Sequence, residues 1–176
     1  MRPEPGPLLA LLLLPLWLAG CSDTPQTGPV PVHFDRDICA RCRMVLSDPR
    51  FVAEVRWFPA EGRSRVEKFD DIGCAVLWLE EQPFRDDPRT EIWVADHRSR
   101  DWIDARRAHY VQIKGSPMEY NLGAQADPAP GALDFEQAKA RIHEVEERFN
   151  VHGAELRRRL EEQARRRAAR SGEQRP

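Results

Sequence analysis

An apolar run near the start of the chain decides how much of it can fold as a domain. The run extends from Leu8 to Leu18 behind Arg2, and it is closed by the sequence Leu-Ala-Gly-Cys, whose cysteine is Cys21. It is shorter than the roughly 20 apolar residues that span a bilayer, and its layout is that of a signal peptide. We therefore expect residues 1–20 to be a signal peptide and residues 21–176 to supply a single domain.

The four residues that close the leader have the form of a lipobox, which directs acylation of its cysteine. Cys21 would become the first mature residue, and because each buried methylene contributes about 0.8 kcal/mol, more than one acyl chain anchors a protein stably. This predicts a lipid-anchored protein that faces an oxidising compartment, the periplasm, and Ser22 favours the outer membrane. The alternative is an ordinary secreted protein in which a cysteine happens to follow the cleavage site.

Charge and cysteine content narrow the classes of function. The formal net charge is −2, and no basic stripe with interleaved aromatic residues occurs in the middle of the chain, so a nucleic-acid partner is not expected. Of the four cysteines, Cys21 is assigned to the lipid. The remaining Cys39, Cys42 and Cys74 are an odd number, and a monomer with every cysteine in a disulfide is therefore excluded.

Composition divides the mature chain into three parts. The stretch from Ser22 to Pro31 is rich in Pro, Gly, Thr and Ser, which predicts a flexible linker over residues 21–33. The domain is expected over 34–150. Residues 151–176 combine glutamates with two arginine triplets, at 157–159 and 165–167, which is typical of a solvated helical or disordered tail. A basic contact to anionic lipid or to an acidic partner is the alternative for this tail.

Hydrophobic periodicity predicts the elements of the domain. Apolar residues alternate from Phe51 to Phe58 as in a half-buried strand, a turn follows at 59–62, and a second strand ends at Phe69. Asp70 is predicted to cap a largely apolar helix that runs to about Gln82. Strands are expected at 91–95 and 108–113 with a short one at 101–105, then a helix with apolar residues three and four apart. Four tryptophans are expected in the core: Trp57, Trp78, Trp93 and Trp102.

The stretch from Cys39 to Met44 carries the chemistry, because it reads Cys-Ala-Arg-Cys-Arg-Met. Thiolate and thioether are soft donors, and together they select Cu(I), whereas zinc favours cysteine with histidine. If the chain is extended after Cys42, the side chains of Cys42 and Met44 point the same way and can face one ion. A structural disulfide or a redox pair of Cys39 and Cys42 is the alternative, although no strand precedes the motif as in thioredoxin-like proteins.

A second sulfur occurs at Met118, in the sequence Gly-Ser-Pro-Met after the strand that ends near Ile113. Proline restricts its own backbone and that of the preceding residue, so Met118 is expected in a defined turn. Loop methionines more often fill gaps in the core than bind metal. Met118 therefore becomes a candidate ligand only together with the first motif.

Taken in order, these motifs resemble the NosL family of copper-binding lipoproteins. The features are the lipobox at Cys21, the Cys39-x-x-Cys42-x-Met44 motif, Phe-Asp-Asp-Ile-Gly-Cys at 69–74, Ser-Pro-Met at 116–118 and Asn-Leu-Gly-Ala at 121–124. They cover about 39–149. The resemblance implies an α/β (α+β) fold of two small ββα halves packed as one domain with a C-terminal helix. It also implies a metallochaperone rather than an enzyme.

The resemblance further implies which residues hold the metal and where it goes. The copper ligands fall on Cys42, Met44 and Met118, with Cys39 as an assisting cysteine. Cu(I) would be delivered to nitrous oxide reductase with the help of a membrane transporter complex. A homodimer that shares the ion is left open. The family more often has glycine where this chain has Arg43 and Glu119, and both replacements add a charged side chain beside a proposed ligand.

Other polar candidates have structural explanations. Asp70 and Asp71 could act as acid and base, but a helix cap and a first-turn carboxylate account for them. Cys74 is expected to be a buried apolar thiol. His33 and His109 could each supply a nitrogen ligand, although a surface histidine is the ordinary expectation for both. A lipoprotein thiol-disulfide oxidoreductase and a structural lipoprotein without metal remain the rival functions.

Overall fold

The computed structural model describes residues 26–173, so the predicted signal peptide and Cys21 lie outside the described residues. The fold is of the mixed α+β class with a C-terminal helix, as expected. Its elements are β1 (Ala53–Trp57), β2 (Arg65–Phe69), α1 (Ile72–Glu80), β3 (Glu91–Ala95), β4 (Trp102–Asp104), β5 (His109–Gln112), β6 (Leu122–Gln125) and α2 (Phe135–Glu173).

The strands form two antiparallel sheets. Four strands pair in the order β2-β1-β3-β4, and β5 pairs with β6 in a separate two-stranded ribbon. The predicted hairpin is confirmed, with Ala53 opposite Phe69 at its base and Trp57 opposite Arg65 near its turn. The sequence did not predict β6, which is only four residues long and contains Gly123. A Cβ atom at Gly123 would lie 2.5 Å from the Ile113 side chain, so glycine permits this close packing.

Both faces of the hairpin are covered, whereas the alternating sequence predicts a half-buried strand. Glu54 and Arg56, which point away from the core, are 0% and 1% exposed. The cover is an N-terminal strap, defined as Gln26 to Pro31. The Val30 amide donates to Glu54 Oε2 (2.8 Å), and Arg56 Nε donates to the Gly28 carbonyl (2.7 Å).

The N-terminal strap lies within the stretch predicted to be a flexible linker, and its backbone is hydrogen-bonded to the hairpin. Ser64 Oγ donates to the carbonyl of Gln26 (3.1 Å), and Lys68 Nζ donates to that of Pro31 (2.7 Å). The strap therefore runs along the hairpin from its turn to its base. Its low apolar content suggested a free chain, but polar side chains of the sheet satisfy its backbone instead.

Helix α1 begins one residue later than predicted. Its cap is Asp71, whose Oδ1 accepts from the Cys74 amide at 3.0 Å, and not Asp70. The helix is apolar on nearly all sides and packs against β1 and β2, as its sequence predicts. The predicted core tryptophans are only partly buried. Trp57, for example, stacks on Phe84 at 4.4 Å on the edge of the core.

Helix α2 begins with a reciprocal cap between Asp134 and Gln137, in which each side chain accepts from the other residue's amide. Its predicted apolar stripe is confirmed at Ala138, Ile142 and Val145, which are buried, but not at Phe149, which is 48% exposed. The helix continues through the charged tail to Glu173. Within the described part of the chain, no helix is long and apolar enough to cross a membrane.

Candidate metal centre

The cysteine motif forms a tight loop beside the base of the hairpin. The Cys39 amide donates to the Met44 carbonyl (2.8 Å), and the Arg43 amide donates to the Cys39 carbonyl (3.1 Å). The Ala40 amide donates to the carbonyl of Lys68 in β2 (2.9 Å), which holds the loop against the sheet edge. The loop is therefore fixed both internally and by the hairpin.

The chain is not extended after Cys42, so the prediction that extended backbone aligns the side chains of Cys42 and Met44 is wrong. Arg43 has a φ of 67° in the left-handed region, which reverses the chain between the two residues. Cys42 is partly buried and packs against the core. Met44 is 44% exposed. Cys42 is thus held against the core, whereas Met44 lies at the surface.

Three thiols and one carboxylate meet beneath this loop. Ligand atoms of Cys39, Cys42, Cys74 and Asp70 all lie within 4.8 Å of one another. Among the described residues the three cysteines are free thiols, and Cys39 and Cys74 are fully buried. These four residues are called the thiol cluster below. An arrangement of this size and donor type could hold a metal ion.

Asp70 does not cap α1, and its carboxylate lies in the thiol cluster. Its Oδ2 accepts a hydrogen bond from the Cys42 thiol at 3.1 Å. Its other oxygen, Oδ1, is buried and has no hydrogen-bond partner in the described part of the chain. A buried carboxylate oxygen without a partner is costly unless a proton or a cation satisfies it. This oxygen is therefore a second sign that the cluster accommodates a further atom.

The electrostatics of the thiol cluster favour a single thiolate at Cys39. A hydrogen bond from Cys74 and backbone donors at Asp70, Cys42 and Arg41 lower the pKa of Cys39 to about 6. Burial and the neighbouring Asp70 raise the pKa of Cys42 to about 12. The hydrogen bond to Cys39 and burial also raise the pKa of Cys74. At neutral pH the cluster therefore combines one thiolate with two thiols that donate hydrogen bonds.

Both candidate methionines line one surface groove. Met44 and Met118 share a cavity of about 470 Å³ with Arg41, Pro117 and Phe149. Met118 is partly buried and, like Cys42, packs against the main core. Ser116 helps to shape the turn before Met118, because its hydroxyl accepts from the Asn121 amide at 3.0 Å. The structure thus brings the predicted thioethers together at the surface, next to the loop that carries Cys42.

Asp71 connects the methionine loop to the thiol cluster. One of its oxygens caps α1 at Cys74, and the other accepts from the Met118 amide at 3.2 Å. Burial raises the pKa of Asp71 to about 7, although these two backbone donors oppose the shift. Adjacent aspartates therefore hold the two parts of the site: Asp70 contacts Cys42, and Asp71 positions Met118.

A polar clasp joins the two ligand loops to α2. Arg41 donates to Glu146 through Nη2 and to the Tyr120 hydroxyl through Nη1 (3.2 Å), and the Tyr120 hydroxyl donates to Glu146 Oε2 (3.0 Å). Tyr120 is 2% exposed, and its ring lies against Gly73 in the first turn of α1. The clasp therefore fixes the cysteine loop relative to the Met118 loop.

The thiol cluster contains one cysteine that the sequence reasoning assigned to the core. Cys74 is buried as predicted, but its sulfur faces Cys39 rather than only apolar side chains. The available signal was its position in the first turn of α1, directly after the two aspartates that follow the hairpin. Neither His33 nor His109 belongs to the cluster. His33 is exposed near Asp37, with 3.7 Å between Nδ1 and Oδ2, and His109 lies half-buried on β5.

Comparisons with known proteins found no matching family model and no matching curated protein.

Proposed function

We propose that this protein is a membrane-anchored metallochaperone that binds Cu(I) as its cargo, and that it is not an enzyme. The observation that carries the proposal is the grouping of three free thiols within 4.8 Å, next to a groove lined by two methionines. Thiolates and thioethers are the donors that Cu(I) prefers. The proposed ligands are Cys42, Met44 and Met118, with Cys39 assisting.

The surroundings of these ligands suit capture and release. The Cys42 thiol donates a hydrogen bond to Asp70, and it must lose its proton when its sulfur binds the ion. Met44 is exposed, and a partner's sulfur or imidazole can therefore approach the ion from the groove before the donor ligands leave. Transfer then proceeds by ligand exchange without release of the free ion. The proposed recipient is nitrous oxide reductase together with its membrane transporter complex.

The principal rival, a thiol-disulfide oxidoreductase, fits the geometry less well. A redox pair needs an accessible thiolate that attacks the substrate disulfide. The cysteine with the lowered pKa is Cys39, which is 0% exposed, whereas the more accessible Cys42 has a raised pKa. The accessible sulfur is therefore the poorer nucleophile.

Competition with a Cu(I) chelator tests the binding proposal. The full chain, reduced and free of oxygen, is titrated with Cu(I) in the presence of bicinchoninate, and the variants Cys42→Ser and Met118→Ala are compared with it. Loss of a neighbour that only orients a ligand lowers metal affinity about 10–100-fold. We expect Cys42→Ser to lose at least about 100-fold, because a ligand itself is removed.

Two control variants separate ligand loss from loss of folding. Met118→Leu keeps the apolar volume but removes the sulfur, and it should weaken Cu(I) binding as much as Met118→Ala does. Ser47→Ala, at an exposed position, should leave the affinity unchanged. If the parent protein cannot compete with bicinchoninate for Cu(I), the copper-binding proposal is refuted. Reversible formation of a Cys39–Cys42 disulfide with turnover of a dithiol would support the oxidoreductase instead.

Delivery is tested separately from binding. Loaded protein is mixed with copper-free nitrous oxide reductase, and the copper absorption of the enzyme is followed in the presence of excess chelator. Transfer that resists the chelator indicates direct exchange. Transfer that the chelator abolishes indicates that copper passes through solution, which would contradict the chaperone proposal.

A further inference from the structure

The chain enters the domain at one end of the β1–β2 hairpin. Gln26 is the first residue described, and it lies beside Ser64 at the hairpin turn. Ser64 Oγ donates to the Gln26 carbonyl (3.1 Å), and the Ser64 amide donates to Gln26 Oε1 (3.3 Å). From there the N-terminal strap runs towards the base of the hairpin, as the contacts of Gly28 and Pro31 show.

The thiol cluster lies at the opposite end of the hairpin. Asp70 directly follows Phe69, which pairs with Ala53 at the hairpin base. The four residue steps from Ala53 to Trp57 span about 13 Å at the usual rise of a strand. The metal centre is therefore separated from the point of chain entry by the length of the hairpin.

The predicted lipid anchor is close in sequence to this entry point. Five residue steps separate Cys21 from Gln26. Even a fully extended chain spans at most about 18 Å over that distance. Full extension also reduces the conformational freedom of the chain, so shorter separations are favoured. If Cys21 is acylated, the hairpin turn is therefore held near the lipid surface.

The surface at the hairpin turn suits a lipid interface. Trp57, Phe58 and Phe84 are partly exposed there, and the guanidinium of Arg65 lies 5.4 Å from the Trp57 ring. The guanidinium of Arg89 likewise lies over the Phe58 ring, 5.6 Å from its centre. Tryptophan is enriched at the boundary between hydrocarbon and water, and arginines there bury their methylene groups along apolar surface while the guanidinium stays in water.

Charge does not drive this contact. The exposed arginines of the turn and of the loop after α1 are accompanied by a similar number of acidic residues, such as Glu61, Asp86 and Asp87. Asp87 pairs directly with Arg89 at 2.7 Å. A surface with balanced charge gains little from anionic lipid. The lipid contact is therefore expected to depend on the anchor and on the aromatic side chains.

We propose that the hairpin-turn end of the domain rests on the lipid bilayer, so that the thiol cluster and the methionine groove face away from the membrane. This proposal rests on the predicted acylation of Cys21 and goes beyond copper binding, because it states how the site is presented. A recipient protein can then reach Met44 from the aqueous side without displacing lipid.

Spin labels at the two ends of the domain test this orientation. The labels are attached through a ketone-bearing amino acid, which leaves the cysteines untouched, at exposed Ala60 in the turn or at exposed Val45 beside Met44. The acylated full chain is placed in phosphatidylcholine vesicles that contain a gadolinium-chelating lipid. We expect the Ala60 label to relax several-fold faster than the Val45 label, since paramagnetic relaxation falls steeply with distance.

Two further variants show whether the tether and the aromatic rings cause the difference. Insertion of ten Gly and Ser residues after Ser22 should reduce the difference between the relaxation rates of the two labels. Phe58→Ser should reduce the same difference in part. Addition of anionic phosphatidylglycerol should leave it unchanged.

The outcomes separate this proposal from copper binding. Equal relaxation at both sites, or faster relaxation at Val45, would overturn the orientation. If the protein is found to carry no acyl group and stays in the aqueous phase, both the lipid anchor and the proposed orientation are refuted. Neither result affects the Cu(I) titration, which reports on copper binding alone.

Discussion

Two residues beside the candidate ligands hold backbone conformations that glycine adopts more easily. Arg43 precedes Met44 with a φ of 67°, and Glu119 follows Met118 with a φ of 59°. A residue with a Cβ atom loses roughly 1–2 kcal/mol in the left-handed region. These are the two positions where the sequence departs from the glycines of the NosL pattern. The loops keep their turns despite the replacements, because neighbouring hydrogen bonds hold them.

Arg43→Gly should therefore stabilise the protein. Relief of the left-handed strain is partly offset by the greater freedom of glycine in the unfolded chain, and the net gain is about 0.5–1 kcal/mol. Urea unfolding measures the change. The matched control is Ser47→Gly, an exposed loop position without positive φ, which should lower stability. Equal destabilisation by both variants would contradict this explanation.

At the scale of elements, the first turn of α1 is where the site is assembled. Asp71 caps the helix and holds the Met118 amide, while Gly73 allows the Tyr120 ring to pack against the helix. Tyr120 in turn connects Arg41 with Glu146. One helical turn thus aligns the cysteine loop, the methionine loop and α2.

Gly73→Ala should both destabilise the fold and weaken Cu(I) binding. The added Cβ would lie 2.2 Å from Cδ2 of the Tyr120 ring, which must move. Overpacking of this kind costs about 1–3 kcal/mol. Urea unfolding and chelator competition measure the two effects.

The same substitution in a Tyr120→Ala background provides the control. With the ring removed, alanine should be neutral or stabilising, since it favours a helix over glycine by about 1 kcal/mol. If Gly73→Ala remains equally damaging without the ring, packing against Tyr120 is not the cause.

At the scale of the whole molecule, Asp96 joins the two sheets. It follows β3, and its carboxylate accepts from the amides of Arg98 (2.9 Å) and Ala126 (2.9 Å). Ala126 lies just beyond β6, so one side chain bridges the four-stranded sheet and the ribbon. The side-chain hydrogen bond from Arg98 and those backbone donors lower the pKa of Asp96 despite its burial, which alone would raise it.

Asp96→Asn should lower the free energy of unfolding at pH 7 by about 1.5–3 kcal/mol, the range for hydrogen bonds to a charged group. Because the pKa is lower in the folded state, the carboxylate stabilises the protein above the unfolded pKa near 3.9, and this contribution is lost as the pH falls below it. Unfolding at pH 7 and at pH 2.5 should show the difference between parent and variant shrinking in acid, because the contribution is lost progressively between the unfolded and the folded pKa. A difference that is constant with pH would contradict a role for the charge.

The proposed capture of Cu(I) should depend on pH through the thiol cluster. Above pH 6 Cys39 is already a thiolate, while the raised pKa of Cys42 means that this thiol must release its proton to bind. Displacement of one proton strengthens apparent Cu(I) affinity about tenfold for each unit of rising pH. Below pH 6 the slope should steepen, because Cys39 is then protonated as well. Chelator competition from pH 5 to 8 measures how the apparent Cu(I) affinity depends on pH. An affinity that does not change with pH would indicate that only the thioethers bind the ion.

The features that depend on local pattern could be predicted from the amino-acid sequence alone. Alternation predicted the hairpin, steps of three and four residues predicted α2, and the proline before Met118 predicted a turn. The soft donors of the Cys39–Met44 motif were likewise readable, since the type of donor atom is a property of the residue. These features follow from side-chain periodicity and chemistry over a few neighbouring positions.

The set of distant residues that share the site depends on how the elements pack against one another. Cys74 and Asp70 join Cys39 because the loop packs on the base of the hairpin, where α1 begins one residue later than its sequence suggested. The N-terminal strap buries Glu54 although alternation predicts an exposed position for it. Such contacts join residues far apart in the chain, and they depend on packing and hydrogen-bond satisfaction, which no local pattern contains.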